Sequence, residues 1–185
     1  MEHIEIEAKF LEIDVLAIQT MLVELGAVDQ GEDMLEEIIF YDQDLEWRAQ
    51  SRMVRIRKTR GKVFVSYKHH KERVIGGTTE IEFQASDFGK AKHLFGAVGL
   101  WAYREQQKKR HTFLLNGTTI EFDTWPNIPT YLEIEGQSED AVRRTVEQLG
   151  LSWEKALFKS AGKIIEEEYH VPVGDYQHFT FSKIG

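Results

Sequence analysis

Ile4-Glu5-Ile6-Glu7-Ala8-Lys9-Phe10 alternates apolar and ionic side chains without a break. In a strand, residues two apart lie on the same face, so the stretch predicts a strand with one greasy face and one charged face. Charged pairs of one sign, two residues apart in apolar frames, recur at Arg55 and Arg57, Glu80 and Glu82, Glu121 and Asp123, and Glu133 and Glu135. An antiparallel sheet with one solvated face shows the same alternation. Three features favour another arrangement. Solvent-facing strand positions usually mix Thr, Ser, Lys and Glu, whereas these charges come as doublets of one sign. Like charges adjacent on a face repel, so a Glu-x-Glu doublet is best tolerated beside a cation. Basic doublets accompany the acidic ones, namely Arg55 with Arg57 and Lys108 with Arg110, and Lys9 and Lys68 extend the set. Helices covering the apolar faces would force the ionic faces inward, and a closed barrel would then enclose a charged lumen.

The rest of the chain supplies those helices and strands. Asp14 caps a predicted helix with Ile18, Met21, Leu22 and Leu25 at helical spacing and Gly26 as its stop. Residues 31–50 carry little pattern beyond a strand near Glu36–Asp42 that enters a loop. Residues 53–58 and 63–68 form a hairpin about Gly61, and Gly76-Gly77 turns into a strand at 79–83. A helix is expected over 86–99. Residues 106–115 and 118–124 flank Asn116-Gly117, a strong hairpin signal. Trp125-Pro126-Asn127-Ile128-Pro129 leads into a strand at 131–135. Ser138 opens a helix ending at Gly150, and a last helix is expected over 152–168, followed by a loop or short edge strand from Val171. The order indicates an α+β fold, a large antiparallel sheet with helices outside it.

The chain has 185 residues and a net charge of −8, so no overall basic field recruits nucleic acid or an anionic membrane. An anionic ligand must be caught by a local basic cluster. The absence of cysteine excludes disulfides, thiolate zinc sites and a cysteine nucleophile. The start, Met1-Glu2-His3-Ile4-Glu5, lacks the basic and apolar regions of a signal peptide, and no apolar run is long enough to span a bilayer. A soluble cytoplasmic protein is the expectation. Seven histidines are scattered without metal-ligand spacing, and Gly76-Gly77 lacks the surroundings of a phosphate loop.

Hard divalent cations such as Mg²⁺ and Mn²⁺ prefer carboxylate oxygens, and Arg and Lys recognise phosphate. A lumen lined by both suits a metal-bound polyphosphate. On these residues the sequence resembles the CYTH domain family, the triphosphate tunnel metalloenzymes. Glu5-Ile6-Glu7-Ala8-Lys9 matches its Glu-x-Glu-x-Lys signature. Arg55-Ile56-Arg57, Ser66-Tyr67-Lys68, Glu80-Ile81-Glu82, Lys108-Lys109-Arg110, Glu121-Phe122-Asp123 and Glu133-Ile134-Glu135 follow in order. The resemblance implies an eight-stranded antiparallel β-barrel forming a tunnel with helices outside, a single domain over 1–185, a core at about 3–160 and a C-terminal helix and tail at 152–185. It implies that Glu5, Glu7, Asp123, Glu133 and Glu135 hold the metal. Lys9, Arg55, Arg57, Lys68, Lys108 and Arg110 would hold the triphosphate, and Glu5, Glu7 and Lys9 would serve catalysis. Glu80, Glu82 and Glu121 are further acidic candidates. Two departures stand out. The family's cyclases often carry a glycine before the last acidic strand, which is absent from Ile128-Pro129-Thr130, and the usual Ser-Tyr pair opening the last helix is Ser160-Ala161 here. The expected function is a Mg²⁺- or Mn²⁺-dependent triphosphatase acting on tripolyphosphate, thiamine triphosphate or a nucleoside triphosphate. The alternatives are an adenylyl cyclase making cyclic AMP and pyrophosphate from ATP, and a non-catalytic module that binds polyphosphate or nucleotide. The oligomeric state is left open.

Overall fold

The N-terminal strand is interrupted once, at Ile6, and the interruption closes a barrel. The computed structural model describes residues 3–185; Met1 and Glu2 of the acidic start lie outside them. In chain order the elements are β1 (His3–Glu5), β2 (Glu7–Phe10), α1 (Val15–Glu24), β3 (Val28–Asp42), α2 (Glu46–Ala49), β4 (Arg52–Thr59), β5 (Lys62–His70), β6 (Thr78–Ala85), α3 (Phe88–Ala97), β7 (Leu100–Leu115), β8 (Thr118–Thr124), β9 (Tyr131–Glu135), α4 (Glu139–Gln148), α5 (Ala161–Glu167) and β10 (His178–Phe179). The sheet runs β1-β6-β5-β4-β3-β7-β8-β9-β2, with every neighbouring pair antiparallel. Its two ends, β1 and β2, are consecutive in the chain, so the sheet closes on itself through one covalent step. Counted once, the interrupted strand gives the eight-stranded ring expected from the sequence. β10 is an addition: it pairs in parallel with β7 at Glu105 and Gln106, where β7 runs on past its pairing with β8.

The hairpin at Asn116-Gly117 forms as read. Both residues take positive φ, 51° and 82°, a conformation open to glycine and tolerated by asparagine, and its twist matches that of the flanking strands. Asp14, Asp87, Ser138 and Ser160 each accept a backbone N–H three residues on, capping α1, α3, α4 and α5.

The apolar strand positions face outward. Ala8, Phe10, Phe113, Ile120, Phe122, Leu132 and Ile134 pack under Ile18 and Leu22 of α1 and Val142 and Val146 of α4. Ile38, Phe40, Val54, Ile56 and Val65 pack with Ala91 of α3. A third cluster joins Trp125, Ile128 and Tyr131 to Ile165 of α5 and to Val173 and Phe179 of the C-terminal segment. With the greasy faces committed to helices outside, the ionic faces have only the lumen left.

Three sequence expectations are corrected. Residues 31–42 belong to β3, which begins at Val28, because both neighbours, β4 and β7, pair along it. β7 begins at Leu100 rather than near 106. The expected helix over 152–168 is helical only at Ala161–Glu167, after a short 3₁₀ turn at Trp153–Lys155. Between them Leu157 exchanges backbone hydrogen bonds of 2.9 and 3.0 Å with Lys9, an extended pairing that a helix could not make. Among the described residues no helix is long and apolar enough to cross a membrane.

Candidate functional site

A cavity of about 1400 Å³ fills the barrel. It is lined by Glu5, Glu7, Lys9, Arg55, Arg57, Lys68, Glu80, Glu82, Lys108, Arg110, Glu121, Glu133 and Glu135. Asp123, the remaining candidate from the sequence, is completely buried behind Lys108 and Arg110. Strand period brings these residues together: each inward side chain is two positions from the next, and the register sets them opposite inward residues of neighbouring strands. Glu7 stands across from Glu135 and Lys9 from Glu133. Arg110 stands across from Asp123, and Glu121 from Glu133.

The charges interlock in two groups. On the side built by β1, β4, β5 and β6, Arg55 reaches Glu37 at 3.3 Å, Glu80 at 3.4 Å and Glu82 at 3.7 Å. Arg57 reaches Glu82 at 2.9 Å, and Lys68 reaches Glu5 at 2.5 Å and Glu80 at 3.3 Å. On the opposite side Lys9 binds Glu7 and lies 3.3 Å from Glu133. Arg110 binds Glu121, Asp123 and Glu133, while Lys108 donates to Asp123 at 2.6 Å. Arg110 holds Asp123 in a fork, with Nε and Nη2 donating at 2.6 and 2.7 Å.

Neutralisation is uneven. Burial, then Glu133, pushes the Glu7 carboxyl up to about 7 against the pull of Lys9. Burial pushes Glu135 up to about 8, and its charged neighbours Glu133, Glu7, Glu5 and Glu121 are all carboxylates. Burial also raises Glu121, against Arg110. Glu133 goes the other way: burial is outweighed by Lys9, Arg110 and Lys108, which hold it well below the ordinary range. Burial would lower Lys9, but Glu133 and Glu7 hold its ammonium above its ordinary range, so Lys9 is a fixed cation. Glu5 Oε2 is buried and accepts no hydrogen bond. Among the described residues no three acidic or histidine side chains stand together as a metal centre. Lys9 intervenes between Glu7 and Glu133, and Arg110 between Glu121 and Glu133.

Inward residues that the sequence reading passed over include Glu37, Arg104, Gln106 and His70. Glu37 is buried; desolvation is outweighed by Arg55, then Lys108 and Arg57, which hold it at about 2. Burial, then Lys68, lowers His70 to about 4, so it is neutral at physiological pH. Gln106 and Arg104 had a legible signal, since they continue the Lys108–Arg110 alternation two and four residues upstream of Lys108. Glu37 had none, because Glu36-Glu37-Ile38-Ile39 pairs like with like and conceals the period.

The CYTH domain family profile matches residues 3–169, which hold the whole ring and both groups of charge. The chain belongs to the CYTH domain family. A protein of Methanocaldococcus jannaschii, named as a candidate adenylate cyclase, is 27% identical over 169 residues, which cover 90% of this chain and 96% of that protein. A solved structure from Pyrococcus horikoshii is 25% identical with a TM-score of 0.70, covering 84% of this chain and 96% of that one. A Vibrio parahaemolyticus structure has a TM-score of 0.78 at 13% identity, covering 89% and 98%, and shares the fold. This CYTH chain therefore spans nearly the full length of these relatives.

Proposed function

We propose that this protein is a divalent-metal-dependent phosphoryl-transfer enzyme that acts on a triphosphate inside its tunnel, with hydrolysis of tripolyphosphate, thiamine triphosphate or a nucleoside triphosphate as the reaction. One observation carries the reading: side chains of opposite sign line one cavity inside the barrel, and Glu135, set across from Glu7, has no cation within 4 Å among the described residues. The carboxylates are interleaved with Lys9 and Arg110, so a hard cation would take its place among them as those two side chains turn to phosphate oxygens. Glu5, Glu7, Glu133 and Glu135, with Glu121 nearby, are all oxygen donors, and Glu5 Oε2 has no hydrogen-bond donor. Mg²⁺ or Mn²⁺ held there would neutralise phosphate oxygens and lower the pKa of a bound water.

The protein's own groups do the rest. Arg55, Arg57, Lys68, Lys108 and Arg110 bind and orient the phosphates, and Lys9, held charged, stabilises negative charge as it moves to the leaving group. The acidic partners of these cations keep them positioned until phosphate oxygens compete for the same N–H groups. Asp123, expected among the metal ligands, has both oxygens engaged by Lys108 and Arg110, so its part in this reading is to set those two cations. The barrel wall limits water around the reacting phosphorus.

The second reading, an adenylyl cyclase, draws support from the name of the M. jannaschii relative. The same cage would hold ATP with its α-phosphorus towards the ribose 3′-hydroxyl. Incubation with tripolyphosphate, thiamine triphosphate and ATP, each with Mg²⁺ or Mn²⁺, separates the readings by product. Orthophosphate release is expected. Cyclic AMP with pyrophosphate as the main product makes the protein a cyclase. Tight binding without turnover under either metal makes it a binding module, and no triphosphate binding at all removes the proposal.

A further inference from the structure

We infer that Gln106 is a positioning residue for the phosphate-binding Arg55, acting through Glu37 and anchored through Arg104 on the C-terminal segment. The inference rests on the triphosphate reading above. Its basis is an unbroken line of hydrogen bonds along the tunnel wall. Arg55 donates from Nε to Ser66 Oγ at 3.2 Å and from Nη1 to Glu37 Oε1 at 3.3 Å. Gln106 Nε2 donates to the other oxygen of Glu37 at 2.6 Å. Arg104 Nε donates to Gln106 Oε1 at 2.8 Å, and its Nη1 donates to the Val173 carbonyl at 2.8 Å.

The chemistry leaves Gln106 one useful orientation. Its oxygen faces a guanidinium and its NH₂ faces a carboxylate; reversed, both contacts would be repulsive. Gln106 is therefore the neutral coupling between a carboxylate that needs a donor and an arginine that needs an acceptor. Arg104 shows why that acceptor matters. Each of Lys9, Arg55, Arg57, Lys68, Lys108 and Arg110 has a carboxylate within 4 Å, whereas Arg104, 8% exposed and lining the same cavity, has none among the described residues. Its buried charge is satisfied by neutral acceptors, Gln106 and the Val173 carbonyl.

Glu37 stands apart from the acidic cluster. Its register partners are Arg57 on β4 and Gln106 on β7, so it lies on the cationic wall. There it fixes one arm of Arg55, while Nη2 of the same guanidinium faces Glu80 and Glu82. The far end of the line is firmly held as well. Tyr103 donates from its hydroxyl to the Gly174 carbonyl at 2.6 Å, the Gly174 N–H donates to Glu166 at 2.9 Å, and β10 pairs with β7 beside Gln106.

The test is Gln106→Leu, which removes both bonds without changing charge, with Gln106→Met as a second variant of matched length. Tripolyphosphate is titrated calorimetrically, without divalent metal so that no turnover occurs, into the wild-type protein and each variant, alongside thermal unfolding and steady-state kinetics with Mg²⁺. The expected result is a Kd and KM raised roughly tenfold, the scale of a lost hydrogen bond to a charged group, with kcat within about threefold; the unliganded Tm falls as well, because Arg104 and Glu37 each lose a buried partner, so Kd and KM are read well below the unfolding transition. Variants that fold and bind tripolyphosphate as tightly as the wild type overturn the inference. So does a loss confined to Tm, with kcat and KM following only the folded fraction. A wild-type protein that fails to bind tripolyphosphate is a separate outcome: it removes the triphosphate reading itself and this inference with it.

Discussion

Asp123→Asn tests how the tunnel's cations are held. Asp123 is completely buried, and its two oxygens accept from Lys108 Nζ, Arg110 Nε and Arg110 Nη2 at 2.6, 2.6 and 2.7 Å. The amide keeps the size of the side chain but removes its charge and turns one acceptor into a donor facing cations. Arg110 retains Glu121 and Glu133, whereas Lys108 has no other carboxylate within 4 Å among the described residues. Breaking a buried ion pair by neutralising one partner costs about 3–5 kcal/mol. Because Arg110 keeps two partners, the lower end applies, about 3 kcal/mol. For a chain of this size each kcal/mol moves Tm by about 2–4 °C, so a fall of about 6–12 °C is expected in metal-free buffer. Tripolyphosphate supplies oxygens that replace the lost charge, so its stabilising effect on the variant should exceed that on the wild type at equal saturation. Differential scanning fluorimetry with and without tripolyphosphate reads both quantities. A metal-free Tm at or above the wild-type value, together with a lost response to Mg²⁺, would refute this reasoning and return Asp123 to the metal ligands.

The upward shift of Glu135 to about 8 fixes a pH dependence. Between about pH 5 and about pH 8 the folded protein keeps a proton that the unfolded chain has released, so metal-free stability falls as pH rises through this window and levels off above it. Glu135→Gln should flatten that fall, and a Tm–pH profile with the same slope in the variant would contradict the assignment. Glu37, held at about 2, has the opposite sign: its stabilisation is present above about pH 4.5 and is lost as pH falls towards 2, which Glu37→Gln should remove from the acid limb of the same profile. Arg57→Ala should mainly raise KM for the triphosphate, and Glu133→Gln should raise the Mg²⁺ concentration needed for half-maximal rate; unchanged kinetics in both would take these residues out of the site. A β-carbon at Gly174 would press on Glu166 Oε1 and Arg48 Nη2, the ends of two flexible side chains that can swing aside. Gly174→Ala should therefore cost mainly the Gly174 N–H bond to Glu166, about 1 kcal/mol, and an unchanged urea midpoint would show that this bond adds nothing to stability.

Much of this protein is written locally. Alternation in Ile4–Phe10, Arg55–Arg57 and Tyr131–Glu135 assigns residues to strand faces, because a strand's side-chain period is two whatever surrounds it. Asn116-Gly117 marks its hairpin through the backbone angles it tolerates, and Asp14 and Ser138 mark helix starts through the donors they satisfy. β3 was legible only in part, since Glu36-Glu37-Ile38-Ile39 hides the period and its strand character is enforced by β4 and β7 on either side. The extended stretch at Leu157 was illegible for a related reason: it exists to pair with Lys9, far away in the chain.

The sequence by itself therefore determined which charges share a face and in what order they come. Only the tertiary structure decided that those faces point inward, because an alternating strand turned over has the same pattern; closure through Ile6 and helices packed on the apolar side choose between the two. It also decided which charges meet. Glu7 faces Glu135, Asp123 is taken up by Lys108 and Arg110, and Gln106 meets Glu37, all through cross-strand register. Register is set by pairing between distant segments, and no local pattern records it.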